Sequence, residues 1–215
     1  MSNNIGNIFK AKRDFARDRI ICKPMRDNLK CHEFTLITND CMAGIVYHDL
    51  HVQFMSPVIN MFISASEYVK FLGNLQYYIN LPFKEIHDNN FPYPLAKIGD
   101  VTLHLIHYKT IQEAEKKWRD RSSRIRYEKR IYVMNDRNNC SEEDYHKFAE
   151  LPLPMDKKIF ITVHRDWNDS NCRTIYYGSK GIECPIMTSY TKVFSIKRRL
   201  DVVNWVEAIN SFLEE

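Results

Sequence analysis

The sequence predicts a single α/β domain built on a central, mostly parallel or mixed sheet with helices on both faces. Segments with the apolar spacing of strands alternate with segments spaced like helices, which is typical of this class. Several strand segments are nearly continuous apolar runs, as parallel strands covered on both faces tend to be. A length of 215 residues, 44% of them hydrophobic, supplies a core large enough for one such domain.

The individual elements follow from apolar spacing and from helix-start signatures. The predicted strands are 33–39, 58–64, 101–108, 129–135, 158–164 and 173–177. The predicted helices are 41–51, 65–80, 110–126, a short one from Ser141, and 201–214. Ser64 with Glu67 and Thr110 with Glu113 form S/T-x-x-E capping boxes. The stretch between Pro82 and Gly99 is predicted to be irregular, and 165–195 carries little pattern.

The first thirty residues differ from the rest in charge. Residues 1–30, which we assign as a basic N-terminal helical segment before a 31–215 domain, hold eight Lys or Arg and three Asp. Their apolar side is formed by Ile5, Ile8, Phe9, Phe15, Ile20 and Ile21. Such a helix can lie on an anionic membrane or bind an acidic partner; alternatively, it is a solvated helix packed on the domain. Nucleic acid is not expected, because aromatic residues do not interleave with the basic ones.

Several function classes lack their sequence signatures. The six glycines form neither G-x-G-x-x-G nor G-x-x-x-x-G-K, which argues against nicotinamide enzymes and P-loop NTPases. The six cysteines form no C-x-x-C pair, and His48 and His51 lack a third ligand nearby, so neither metal nor cofactor is expected. No secretory leader or membrane span is evident, which predicts a cytoplasmic chain with reduced thiols.

Asn39-Asp40-Cys41 stands where a predicted strand meets a predicted helix, and ligand sites of open α/β sheets gather at such ends. The N-terminus of a helix favours thiolate over thiol and lowers a cysteine pKa. Cys41 is therefore a candidate nucleophile, with Asn39 and Asp40 as candidate substrate contacts. The alternative is that Cys41 is a small buried residue without chemistry.

Two further polar clusters end predicted strands. Alternation along 101–108 places His107 at the end of an apolar face, partly buried, where it could act as a general base, although a purely structural histidine is also consistent. Asn135 and Asp136 end the strand 129–135 and could orient that imidazole. Cysteine, then histidine, then Asn or Asp is the chain order of papain-like enzymes.

A basic stripe follows on the predicted helix 110–126. Lys117, Arg121 and Arg124 lie on one face, at the spacing i, i+4 and i+7. Arginine grips phosphate or carboxylate with two hydrogen bonds, so the stripe could hold an anionic substrate. A solvated face beside Glu and Asp neighbours is the alternative.

Much of the sequence resembles a bacterial domain family whose members are described as exopolysaccharide or capsular polysaccharide biosynthesis proteins. The matching stretches are TLITNDCMAGIVYHDL, SPVINMFISASEYVKFLGNLQYYI and IGDVTLHLIHYKTIQEAEKKWRDRSSRI, and the resemblance covers about residues 10–210. In that family Trp-Gly-Gly usually follows the cysteine, whereas Met42-Ala43-Gly44 follow it here. The cysteine segment is also similar, more distantly, to papain-like cysteine peptidases. That similarity implies Cys41 as nucleophile, His107 as base, and an α+β papain-like fold as the alternative.

Three functional hypotheses follow. The first is a cytoplasmic enzyme of surface-polysaccharide assembly, with Cys41 attacking an acyl or amide carbonyl and the N–H groups of 41–43 holding the oxyanion. Its partner would be an anionic saccharide or sugar phosphate. The second is a glycosyl- or phosphosugar transferase that binds a sugar nucleotide through the basic stripe. The third is a non-catalytic scaffold on the inner membrane face, docked through residues 1–30.

Overall fold

The computed structural model describes residues 2–213, and side chains are described from residue 6 onward. Within that range seven strands form two sheets: β1 (Thr35–Thr38), β2 (Lys84–Ile86), β3 (Leu95–Ile98), β4 (Val101–His104), β5 (Arg130–Asn135), β6 (Lys158–Thr162) and β7 (Arg173–Tyr176). The larger sheet has the order β1-β5-β6-β7, and all three of its strand pairs are parallel. The predicted α/β class with a mostly parallel sheet is therefore confirmed, and the α+β alternative does not describe this sheet.

Eight α-helices surround the sheets in the described residues: α1 (Ser2–Arg17), α2 (Lys23–Asn28), α3 (Met42–Asp49), α4 (Ala65–Gly73), α5 (Leu75–Asn80), α6 (Ile111–Ser122), α7 (Glu142–Ala149) and α8 (Trp205–Asn210). A π-helical turn, Asp18–Cys22, joins α1 to α2. Short 3₁₀ turns occur at Met155–Lys157, Arg199–Val202 and Ser211–Leu213. Thr110 caps α6 by accepting the Glu113 N–H, which is one half of the predicted capping box. The predicted helix from Ser141 is α7, and it begins with a complete capping box that the sequence analysis did not predict.

The parallel sheet separates two hydrophobic cores, because successive side chains of a strand point to opposite faces. On β1, Ile37 faces the core covered by α4, α5, α6 and α7. Its neighbour Leu36 faces the core covered by α3 and α8. Helices therefore cover both faces, as the continuous apolar strand runs indicate.

Two of the predicted strands differ from what the structure shows. The segment 58–64 is not a strand; it makes only an isolated bridge, from Phe62 to His104. The strand predicted over 101–108 ends at His104, because the chain turns there and the Ile106 N–H donates to the His104 carbonyl. This strand, β4, pairs antiparallel with β3 in the smaller sheet, which arises partly from the stretch predicted to be irregular.

The helix predictions are wrong in extent rather than in position. The predicted helix 65–80 is split at Asn74, whose φ and ψ of −139° and 52° are not helical. At its start, Ser64 Oγ donates to the Glu67 carboxylate rather than accepting a backbone N–H. The helix α6 ends four residues early, and the predicted helix 201–214 shrinks to α8 with 3₁₀ turns on either side.

The N-terminal helices pack on the domain through a buried arginine. Arg17 donates to Asp49 at 2.6 Å and to Asp201 at 2.7 Å, and the three side chains lie in the interface. Among residues 2–213, no helix has the length and apolar character to cross a membrane.

Candidate active site at the carboxyl ends of the parallel strands

Two adjacent parallel strands end in the same dipeptide, Asn39-Asp40 after β1 and Asn135-Asp136 after β5. Asn39 Nδ2 donates to the Asn135 carbonyl at 3.1 Å, and Asn39 Oδ1 accepts the Asn135 N–H at 3.2 Å. Asn39 is fully buried and ties the two strand ends together. Its predicted contact with substrate is therefore replaced by a contact within the sheet.

Asp40 is held by its own turn and by the neighbouring strand. One carboxylate oxygen accepts the Met42 N–H at 2.9 Å, and the other accepts Asn135 Nδ2 at 2.9 Å. Burial raises the pKa of Asp40, and these two hydrogen bonds oppose that rise only in part. Asp40 also lies on the wall of a cavity, so it is the predicted substrate contact that remains available.

That cavity, of about 360 Å³, brings together residues from five separate parts of the chain. Its walls are Asp40, Cys41, Phe62, Ile106, His107, Arg137, Asn138, Ile186 and Thr188. The predicted nucleophile and the predicted base therefore line the same space. The cavity lies beyond the carboxyl ends of β1 and β5, where open α/β sheets usually bind their ligands.

Cys41 directly precedes α3, as predicted, but its thiol is not activated in the resting protein. Its Sγ lies 3.7 Å from the Met61 carbonyl, to which the thiol donates. Burial, with the nearby charge of Asp40 as the second cause, raises the pKa of Cys41 to about 12. This is opposite to the expected lowering, because loss of hydration outweighs the partial charge of a helix N-terminus.

His107 lies in the turn after β4, and its side chain is exposed rather than partly buried. The difference follows from the early end of β4, because the alternation that would bury His107 stops at His104. The His107 N–H donates to the Asn60 carbonyl at 3.3 Å, and its ring has no hydrogen-bond partner among residues 2–213. The imidazole is therefore available to a ligand in the cavity.

Asp136 and Asn135 do not contact His107 anywhere in the described structure. Asp136 accepts Thr162 Oγ1 at 2.9 Å, the Val163 N–H at 2.7 Å and the Cys184 N–H at 2.5 Å. Its carboxylate thus joins β5 to β6 and to the segment around 184. Asn135 binds Asp40 through its side chain, so both residues support the sheet edge instead of orienting the imidazole.

Six residues of the cavity wall escape the sequence analysis, and one of them, Ile106, directly precedes the predicted His107. Arg137, which donates to the Cys184 carbonyl at 3.0 Å, could be recognised because it directly follows Asn135-Asp136. Asn138 adopts a φ of +63°, a left-handed conformation that asparagine tolerates in tight turns. Phe62 falls in the segment mistaken for a strand. Ile186 and Thr188 lie in the weakly patterned stretch 165–195, where no signal is available.

The basic stripe lines a different depression, of about 390 Å³. Arg121 is buried and donates to Tyr108 Oη at 2.7 Å, which makes it a structural residue. Lys117 pairs with Glu113 at 2.7 Å. Arg124 lies beyond the end of α6, and its buried Nε has no partner among the described residues. The three side chains are thus neighbours, and Arg124 is the one whose buried Nε has no partner among the described residues.

The fold and the cavity define an α/β protein with a polar, cysteine-containing site at the carboxyl edge of a parallel sheet. Residues 12–207 match the family described as "Domain of unknown function (DUF1919)", and the chain belongs to this family. An uncharacterized protein of Haemophilus influenzae is 31% identical over 147 residues, which are 68% of this chain and 69% of that relative. No group of three or more His, Cys, Asp or Glu side chains suited to a metal occurs within residues 2–213.

Proposed function

We propose that the protein is an enzyme of surface-polysaccharide biosynthesis that transfers or hydrolyses an acyl group on a saccharide-linked substrate. The observation that carries the proposal is that Cys41 and His107, distant in sequence, line one cavity together with Asp40 and Arg137. The pathway is supported by the sequence resemblance to exopolysaccharide biosynthesis proteins. The reaction class is supported by the chemistry of a thiol and an imidazole that line the same cavity.

The reaction begins with a neutral thiol, because the pKa of Cys41 is about 12 in the resting protein. His107 takes the thiol proton as Sγ bonds to the acyl carbon. When the carbonyl re-forms, the bond to the leaving oxygen or nitrogen breaks, and His107 returns the proton to that atom. A second hydroxyl or a water then attacks the thioester, loses its proton to His107, and releases the thiol.

The backbone donors next to Cys41 are already used, which limits the oxyanion site predicted from sequence. The Met42 N–H donates to Asp40, and the Ala43 N–H donates to Thr38 Oγ1 at 3.2 Å. The Cys41 N–H is the remaining donor of this turn. Arg137, on the same wall, supplies the positive charge for a carboxylate or phosphate of the substrate.

The nucleophile can be tested with p-nitrophenyl acetate as a generic acyl donor. We expect one acetyl group on Cys41 by peptide mass mapping, no adduct in Cys41→Ser, and slower acetylation in His107→Gln. Cys140→Ser is the matched control, because Cys140 is the other half-buried cysteine and does not line the cavity. Acetylation that persists in Cys41→Ser, or surface polysaccharide unchanged in a Cys41→Ala strain, would overturn the assignment.

A second candidate function is a transferase that binds a sugar nucleotide in the basic depression. It is favoured by the unpartnered buried Nε of Arg124 beside Lys117. Thermal shift with sugar nucleotides tests it: stabilisation should survive Cys41→Ala and be lost in Arg124→Ala, while Lys116→Ala on the same helix serves as control. Arg121 is unsuited to this test, because its loss would also leave Tyr108 Oη without its donor.

A further inference from the structure

Exposed apolar side chains gather where α1 meets the segment 190–198. The set comprises Ile8, Phe15, Val193 and Phe194, and Phe194 is 82% exposed. The rings of Phe9 and Phe194 meet edge-on with their centroids 5.3 Å apart, so the helix and the segment share one surface. A cluster of apolar side chains on a solvent-exposed face usually marks a surface that binds a partner.

Polar contacts fix the two parts of this surface to each other. Arg17 Nη1 donates to the Ile196 carbonyl at 3.0 Å, and Tyr190 Oη donates to Asp14 at 2.5 Å. The Arg13 guanidinium lies 3.6 Å from the centre of the Tyr190 ring. The apolar side chains are therefore presented by a preformed surface, with little ordering left to occur on binding.

The exposed face of α1 that borders this cluster carries unpaired positive charge. Ile8, Lys12, Phe15 and Arg19 are spaced as i, i+4, i+7 and i+11, which places them on one side of the helix and of the turn after it, away from the buried Arg17. The segment 190–198 packs on the side of Arg17 and reaches the border of this face where Phe194 contacts Phe9, the i, i+3 neighbour of Lys12. Lys12 and Arg19 are exposed and have no acidic partner among residues 2–213. By contrast, Arg17 is paired with Asp49 and Asp201 inside the protein.

We propose that this docking face (Ile8, Lys12, Phe15, Arg19, Val193 and Phe194) binds the anionic surface of a lipid bilayer. The apolar side chains enter the boundary between headgroups and acyl chains, and Lys12 and Arg19 meet the lipid phosphates. Apolar and basic side chains alternate on this face. This arrangement complements a bilayer, whose headgroups are negatively charged and whose interior is apolar. The proposal is independent of the proposed reaction, because the docking face contains no residue of the cavity.

Docking would also bring the cavity near the lipid. Ile186 lines the cavity, and it lies eight positions before Phe194 on the docking face. That length of chain spans at most about 28 Å when fully extended, so this wall of the cavity would lie within about 28 Å of a bilayer-bound Phe194.

Co-sedimentation with vesicles tests the docking face in the full-length protein. We expect binding to vesicles of phosphatidylglycerol and phosphatidylcholine, weakening as salt rises, and no binding to phosphatidylcholine alone. Lys12→Ala with Arg19→Ala should weaken binding on the order of 20-fold, and Phe15→Ser with Phe194→Ser by at least about tenfold.

Matched controls are exposed residues elsewhere on the surface. Lys84→Ala with Lys116→Ala removes the same charge, and Met155→Ser removes an apolar side chain that is half exposed. These variants should bind like wild type. Equal weakening by the controls, no binding to anionic vesicles, or a dimer in sedimentation velocity that Phe15→Ser dissociates would overturn the proposal; the last outcome would assign the face to a second copy of the chain. Acetylation of Cys41 should be unaffected by either pair of docking-face substitutions.

Discussion

The same Asn-Asp dipeptide stands at the ends of β1 and β5, but its aspartate has a different role at each end. Asp136 follows β5, which lies between two strands, and its carboxylate accepts Thr162 Oγ1 and two backbone N–H groups. Asp40 follows β1, an edge strand; it accepts Met42 N–H and Asn135 Nδ2 and still lines the cavity. The aspartate of the same dipeptide therefore stabilises the sheet after β5 and lines the cavity after β1.

The difference shows how the place of a strand in the sheet selects the role of the residues after it. Beyond β5, the backbone after β6 and the backbone around residue 184 supply donors, and the Asp136 carboxylate is fully used by them. Beyond β1, the neighbour on the outer side is the extended segment 58–64 and not a strand; it contacts Cys41 through the Met61 carbonyl and lines the cavity with Phe62, so space for a ligand remains. Four substitutions, ordered by expected effect, would break or sharpen this comparison.

The largest effect is expected from Asp136→Ala. Removing this carboxylate leaves the buried N–H groups of Val163 and Cys184 without an acceptor, so the free energy of unfolding should fall by about 3 to 4 kcal/mol. Asp40→Ala should cost only about 1 to 2 kcal/mol, because it releases one backbone N–H and one amide. Urea denaturation measures both. Equal losses would mean that the two strand ends are energetically alike.

A double-mutant cycle should separate the two aspartates further. The side chains of Asp40 and Asn135 are hydrogen-bonded, so Asp40→Ala and Asn135→Ala should couple by about 1 kcal/mol in the free energy of unfolding. No hydrogen bond joins the side chains of Asp136 and Asn135 in the described structure, so that pair should couple more weakly. Stronger coupling of Asn135 to Asp136 than to Asp40 would contradict the assignment of partners.

The stabilisation due to Asp40 should depend on pH. Burial raises the pKa of Asp40 in the folded protein, so the folded state holds its proton more tightly than the unfolded state. The stability that Asp40 adds is therefore full below its unfolded pKa of about 3.9 and falls as pH rises through the raised folded pKa. The difference in unfolding free energy between wild type and Asp40→Ala, measured from acid to neutral pH, should shrink; a growing difference would contradict this sign.

The smallest expected effect concerns the reactivity of Cys41. The charge of Asp40 is the second cause that raises the pKa of this thiol, so Asp40→Asn should speed its alkylation by iodoacetamide at pH 8. The gain should stay below about tenfold, because burial, the larger cause, remains. Asp136→Asn is the matched control and should leave the rate unchanged. Peptide mapping identifies the alkylated cysteine, and a slower reaction in Asp40→Asn would count against the role given to its charge.

The sequence is informative where local pattern and burial agree. β1, β5, β6 and β7 fall inside the predicted strands. For β1, β5 and β6 the reason is that runs buried on both faces leave few alternatives, whereas β7 is a half-exposed edge strand. The segment 58–64 has a similar apolar composition but packs as extended chain with a single bridge. Burial alone does not provide a neighbouring strand for backbone hydrogen bonds. Those hydrogen bonds are what distinguish a strand from buried extended chain.

The candidate site is predicted in part. Cys41 at the start of α3 and Asp40 beside it follow from the strand-to-helix pattern. His107 reaches the cavity from a turn after the antiparallel sheet, not from the end of a parallel strand. Arg137 and Asn138 directly follow the predicted Asn135-Asp136. The rest of the wall comes from segments whose own patterns do not point to a ligand: Phe62, Ile106, Ile186 and Thr188.

By itself, the sequence determines the α/β class, the positions of the four strands of the larger sheet, the start of α3 at the cysteine, and the basic, apolar character of the N-terminal segment. These properties depend on the periodicity of neighbouring residues, which a strand or helix imposes locally. The tertiary structure alone decides that Asp136 is consumed within the sheet, that Asp40 remains on the cavity wall, and that burial leaves Cys41 as a neutral thiol. Hydrogen-bond partners and hydration come from residues distant in the chain, and no local pattern encodes them.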